Sequence, residues 1–163
     1  MKRIDQDFKK YIGQGENPDL FVSVVGFDRR FDEYFGIDYK ESEKKLSTTD
    51  DYIYPNLQDS ALLTSYLDYY QIYEDLADGD TLVDIGAGYC RGTFLFNELG
   101  GKECLRIERE ASRIQAARTR LSEDLIIEAD LLEKKLILPK REAYFIYLPL
   151  GVVLYEVLKK IIN

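Results

Sequence analysis

The chain has 163 residues, 45% hydrophobic and 32% charged, which is enough apolar content for one packed domain and too much for a wholly disordered chain. Its 22 Lys and Arg against 30 Asp and Glu give a formal charge of −8, which argues against a generally basic, phosphate-clasping protein. Histidine is absent and the only cysteines are Cys90 and Cys104, so Ser-His-Asp and Cys-His nucleophiles, His-ligated metals and a disulfide scaffold are all excluded.

Ile4, Phe8 and Tyr11 or Ile12 fall at helical spacing and predict a short helix over residues 1–12. No signal-peptide pattern follows, and no stretch reaches the roughly 20 apolar residues of a membrane span. A cytoplasmic setting with no membrane partner is the expectation. Gly13 to Pro18 is a turn cluster, and the β-rich run Phe21–Phe27 predicts a short strand. Phe31–Lys45 reads as a broken helix and Ser47–Asp51 as a polar connector, and the acidic runs Asp28–Asp38 and Asp50-Asp51 as solvated surface. Tyr54 precedes Pro55 and is extended or turning. A helix is expected from Asp59 or Ser60 to about Ala77, with Leu62 or Leu63, Tyr66, Tyr70 and Tyr73 on its buried face.

From Thr81 onward strands and helices alternate. Strands are predicted over Thr81–Ile85, Cys104–Glu108, Leu125–Glu128 and Ala143–Leu148, and helices over Tyr89–Leu99, Glu110–Leu121 and Val152–Ile162. Leu131–Pro139 is a connector or short helix. This alternation implies a Rossmann-like α/β fold: a parallel sheet of about four core strands with helices on both faces, plus a mainly helical N-terminal extension. The expected division is residues 1–58 for the extension and 59–163 for a partial cofactor-binding domain.

Asp84-Ile85-Gly86-Ala87-Gly88 places two glycines where a strand passes into a helix. Gly86 permits a tight turn, and Gly88 lets backbone approach a ligand. A Gly-x-Gly pair alone is shared by many nucleotide binders. Two further acids stand at strand ends: Glu108, 22 positions after Gly86, where a ribose-binding acid falls, and Asp130 after the third strand. A solvated helix-start acid at Glu108 and a helix cap at Asp130 are equally compatible with the sequence.

Together, Val83-Asp84-Ile85-Gly86-Ala87-Gly88, Arg106-Ile107-Glu108, Glu128-Ala129-Asp130-Leu131 and Ile146-Tyr147-Leu148-Pro149 resemble the class I, seven-strand S-adenosylmethionine-dependent methyltransferases. The resemblance implies S-adenosyl-L-methionine as cofactor. Asp84, Gly86, Ala87 and Gly88 would line its methionine part, Glu108 would hold the ribose hydroxyls, and Asp130 and Leu131 would meet the adenine. Tyr147, Leu148 and Pro149 would face the acceptor. Tyr54-Pro55 with Gln58 is also faintly similar to the approach loop of the nucleosomal-lysine methyltransferase group, which puts Tyr54 on the substrate side. Cys90 departs from the pattern, standing where the family has a third glycine.

The resembled family has seven strands and residues 81–163 supply four, so either the domain is truncated or split, or the predicted strand Phe21–Phe27 and a partner chain or second copy cover the sheet edge beside Ala143–Leu148. No catalytic residue or general base stands out. A protein or small-molecule acceptor is favoured over nucleic acid, given the acidic charge. Two other functions compete with the methyltransferase: a non-catalytic binding or scaffold domain of the same fold, and a nucleotide-cofactor oxidoreductase built on Gly86, Gly88 and Gly92.

Overall fold

The computed structural model describes Gln6, Phe8 and residues 20–37, 63–118, 121–122, 125–147 and 151–162. Among the described residues nine elements follow in chain order: α1 (Leu20–Phe35), α2 (Tyr66–Asp75), β1 (Thr81–Ile85), α3 (Arg91–Leu99), β2 (Glu103–Glu108), α4 (Ala111–Arg118), β3 (Ile126–Glu128), β4 (Ala143–Ile146) and α5 (Val152–Ile162). The four strands form one sheet of order β3-β2-β1-β4, and every pairing is parallel. This is the α/β architecture that the alternating pattern predicts.

β1 is central, and all five of its residues are buried. Strands covered on both faces carry near-continuous apolar runs, as Thr-Leu-Val-Asp-Ile does apart from its aspartate. Leu82 packs with Phe96, Cys104 and Phe145 beneath α2 and α3. Val83, Ile85 and Ile107 pack on the opposite face against Leu138 and Val157, the latter from α5. Alternate residues point to opposite faces. Asp84, Arg106 and Glu108 therefore share the α2–α3 side.

The predicted strand Phe21–Phe27 is instead part of helix α1. The β-branched residues of that run favour a strand when read alone. Phe27, Phe31 and Phe35, however, recur every four residues and are all buried against Phe8, Tyr66 and Tyr70. Tertiary packing of that stripe overrides local propensity. Gly36, at φ 67°, ends the helix, and the Ile37 N–H returns to the Asp32 carbonyl at 2.8 Å. Asp28 and Asp32, expected on solvated surface, are buried.

Helix α2 starts at Tyr66, later than expected, and Leu63, Thr64 and Ser65 are not helical. Ser65 is its N-cap and accepts from the Leu67 N–H at 3.2 Å. α3 begins at Arg91 rather than Tyr89, because Cys90 holds a left-handed φ of 64°. α5 has the predicted bounds. The helix predicted over residues 1–12 lies outside the described residues except for Gln6 and Phe8, both helical. The connector at 47–51 and the Tyr54 turn also lie outside them.

Candidate functional site

In an open parallel sheet, ligands settle beyond the C-terminal strand ends where the strand order reverses. Here the order runs outward from β1 to β2 and β3, then jumps back across β1 to β4. The loop leaving β1 stands at that reversal. The Gly86 and Ala87 N–H groups both donate to the Ile107 carbonyl, at 2.9 and 3.1 Å, so the chain turns off β2 at once. Gly86 and Gly88 have φ of +75° and +54°, and a Cβ on either would meet nothing within 4 Å. The loop thus faces open space with bare backbone. Gly92 is a glycine for another reason: a Cβ there would lie 2.5 Å from the Tyr69 ring.

Cys90 closes the loop. Its thiol donates to the Gly88 carbonyl at 3.4 Å. Burial pushes that thiol up to about 12, although the nearby Arg106 guanidinium pulls the other way. A thiol so held is no nucleophile at neutral pH.

Glu108 ends β2 beside the loop and is buried. Its Oε2 accepts from the Gly88 N–H at 2.8 Å. Its Oε1 accepts from the Arg109 and Glu110 N–H groups at 2.8 and 2.9 Å. One carboxylate thus braces the glycine loop and the entry to α4, where the helix N-terminus favours negative charge. A carboxylate offers about four acceptor positions. Three are occupied, and the fourth is on Oε2, the oxygen directed at the loop.

Asp84 lies deeper, 1% exposed, with Oδ2 accepting from the Tyr69 hydroxyl at 2.8 Å. Burial pushes its carboxyl up to about 7. The Tyr69 hydrogen bond draws it back, and the Glu108 charge adds to the rise. Arg106 is its register partner on β2 and is fully buried. The Tyr69 ring meets Phe145 edge-on at 5.3 Å, and Phe145 stacks with Tyr147 at 6.4 Å. This aromatic row runs from the Asp84 carboxylate out to Tyr147, which is exposed past the end of β4.

Asp130 follows β3. Its Oδ1 accepts from the Leu132 N–H at 2.9 Å, and its Oδ2 lies 3.8 Å from the Arg109 guanidinium. Leu131 packs on the Ile107 side of the sheet. The structure thus gathers Gly86, Ala87, Gly88, Glu108, Asp130 and Leu131 along three adjacent strand ends, with Tyr147 on the far side of β1. Tyr54, Leu148 and Pro149 lie outside the described residues.

Two flanking groups escape a sequence reading. Tyr69 looks like one more ring of a packed helix, and nothing in its neighbours marks it as the partner of Asp84. Arg91 follows Cys90 directly. Its Nε donates to Asp32 Oδ1 at 2.9 Å, its Nη2 pairs with Asp32 Oδ2, and its Nη1 donates to the Thr64 carbonyl at 2.9 Å. Its guanidinium lies over the Tyr66 ring, 5.1 Å from the centroid. Tyr66 in turn donates its hydroxyl to Asp32 at 3.0 Å. The glycine loop is thereby tied to α1. A detectable signal does exist for Arg106: a cation in the middle of an apolar strand demands a buried partner.

No protein-family model matches the chain, and no curated protein matches it. Among solved structures, a crystal structure of the glycopeptide N-methyltransferase MtfA complexed with (S)-adenosyl-L-methionine is similar over 39% of this chain at 22% identity, with a TM-score of 0.32. The matched stretch spans 32% of that chain.

Proposed function

We propose that this chain is an S-adenosylmethionine-dependent methyltransferase of the seven-strand class, or the cofactor-binding portion of one, acting on a protein or small molecule. The observation that carries the reading is Glu108. Its carboxylate sits at the strand end beside a bare glycine loop, bonded to Gly88 through the oxygen that keeps one acceptor position. A ribose hydroxyl fits that position, and holding a second would displace one backbone N–H. The open space over Gly86 and Gly88 suits the methionine part.

S-adenosylmethionine, when bound, supplies an electrophilic methyl group for direct transfer to a nucleophile. The chain's contribution is placement, since most of the rate in such a displacement comes from holding the two partners in line. Asp84 contributes through the loop, as a buried carboxylate that fixes Tyr69 beneath Gly92. Asp130 and Leu131 serve the adenine side. Tyr147 marks the acceptor side, at the strand end across β1 from Glu108. We assign the open side of β4 to a partner chain or second copy, because β4 pairs with β1 alone among the described strands.

The test is heat denaturation of the chain with S-adenosylmethionine, S-adenosylhomocysteine, NADH and NADPH. The first two should raise the midpoint, and no shift with either would sink the proposal. A shift with the nicotinamide cofactors alone would move the chain to the oxidoreductase reading. Glu108→Ala should abolish the shift, but it also frees three N–H groups. Glu108→Gln keeps an acceptor and separates loss of the brace from loss of the ribose contact. The second reading, a binding domain without catalysis, is supported by Cys90 at the third glycine position. It predicts a midpoint shift with no transfer of labelled methyl.

A further inference from the structure

The cations of this chain are unevenly placed. Residues 134–163 hold six Lys and Arg and two carboxylates, a net +4, leaving −12 on residues 1–133. Four of the six lie in Lys134-Lys135-Leu136-Ile137-Leu138-Pro139-Lys140-Arg141, a run without an acid. Lys134, Lys135, Lys140 and Arg141 are all exposed. Among the described residues the three lysines of this run form no ion pair.

The loop is anchored. Leu136 and Leu138 turn inward onto the Val157 cluster. The Tyr144 hydroxyl donates to the Pro139 carbonyl at 2.6 Å. From α5, the Lys160 ammonium donates to the carbonyls of Glu133 and Leu136 at 2.7 and 3.0 Å. Ile137, between the two inward leucines, is left 87% exposed, and Ile162 at the end of α5 is 81% exposed. A lone exposed isoleucine needs no explanation. Two of them at one end of the molecule, set among cations in an acidic chain, are a different matter.

We propose that this end of the molecule docks on an anionic lipid surface, with the cations on the headgroups and Ile137 in the acyl boundary. An acidic peptide or a nucleic-acid backbone would take the cations and leave the isoleucines in water, whereas a bilayer interface takes both. The acidic remainder does not prevent this, because charges farther away than a Debye length of about 8 Å are largely screened. Surface docking requires no spanning segment, and no described helix is long and apolar enough to cross a membrane. The loop leads into the start of β4, where the Glu142 carboxylate accepts from the Thr81 N–H at 3.0 Å. That is the end of the sheet opposite the glycine loop, so the docked molecule keeps the candidate site open to solvent.

The test is co-sedimentation of the full chain with vesicles of phosphatidylcholine, alone or doped with phosphatidylserine, over a salt series. Binding should require phosphatidylserine and weaken as salt rises. Replacing Lys134 and Lys135 together by Gln should lower the partition coefficient by at least tenfold, at about fivefold per lysine. Ile137→Ser should lower it with the charge unchanged. Because these side chains are exposed, both variants should keep the wild-type melting midpoint. Absence of binding, equal binding to neutral vesicles, or binding that neither variant weakens would overturn the proposal. Self-association in sedimentation velocity that both variants abolish, without vesicle binding, would assign the patch to a second copy instead.

Discussion

Asp84 is a carboxylate in a place that suits a neutral group. It is 1% exposed, has one hydroxyl donor, and lies near a second carboxylate. Its folded-state pKa of about 7 lies above the ordinary 3.8, so the folded protein holds this proton more tightly than the unfolded chain does. Below 3.8 both states are protonated and the contribution to stability is fully present. As pH rises toward 7 the unfolded chain ionises first, and stability is lost across that window. Asp84→Asn keeps an acceptor for Tyr69 and removes the titration. The variant should therefore be more stable than wild type at pH 8, with the difference shrinking as pH falls toward 4. Urea denaturation at a series of pH values measures this, and parallel curves for the two proteins would contradict it. The resemblance implies a ligand role for Asp84, and in the fold its carboxylate also holds the Tyr69 hydroxyl at 2.8 Å.

The buried pair between α1 and α3 shows what an element-level reading of a sequence can and cannot find. Strands and helices from Thr81 onward are legible because short apolar runs ending in glycine or acid alternate with helical periodicity. α1 is not, since the β-branched residues around Val24 and Val25 hide the four-residue spacing of its phenylalanines. Its acids are less legible still: Asp32 finds Arg91 across 59 positions, and no local pattern announces such a partner. Asp32 is 2% exposed and holds both a guanidinium and the Tyr66 hydroxyl. Removing one member of a buried pair strands the other charge and costs about 3–5 kcal/mol. Asp32→Ala should thus destabilise the protein by that order. The double replacement Asp32→Leu with Arg91→Met should recover only part of the loss, because it removes the stranded guanidinium but leaves buried Asp28, 3.6 Å from Arg91 in the wild type, without its cation. A double-mutant cycle from urea midpoints tests this, and additive single losses would mean that the two residues do not act as a unit.

At the scale of the molecule, stability and the candidate site are arranged in opposite senses. β1 is paired on both sides and buried throughout, whereas β3 and β4 each have one neighbour among the described strands. Amides of Val83 and Ile85 should exchange with solvent only through opening of the whole sheet. The loop above them is held by a few bonds: Gly86 and Ala87 to the Ile107 carbonyl, and Gly88 to Glu108. Such a segment opens locally at lower cost than the sheet beneath it. In the ligand-free chain the Gly86, Ala87 and Gly88 amides should therefore exchange faster than those of β1. A cofactor resting on this backbone would reverse the order locally. Saturating S-adenosylmethionine should slow the loop amides first, while β1 slows only by the global stabilisation that ligand binding confers. Amide exchange followed residue by residue by NMR separates the two effects. Equal slowing of loop and sheet would place the ligand away from this loop. A loop-specific effect in wild type that Glu108→Gln removes would tie the ligand to the acid as well as to the glycines.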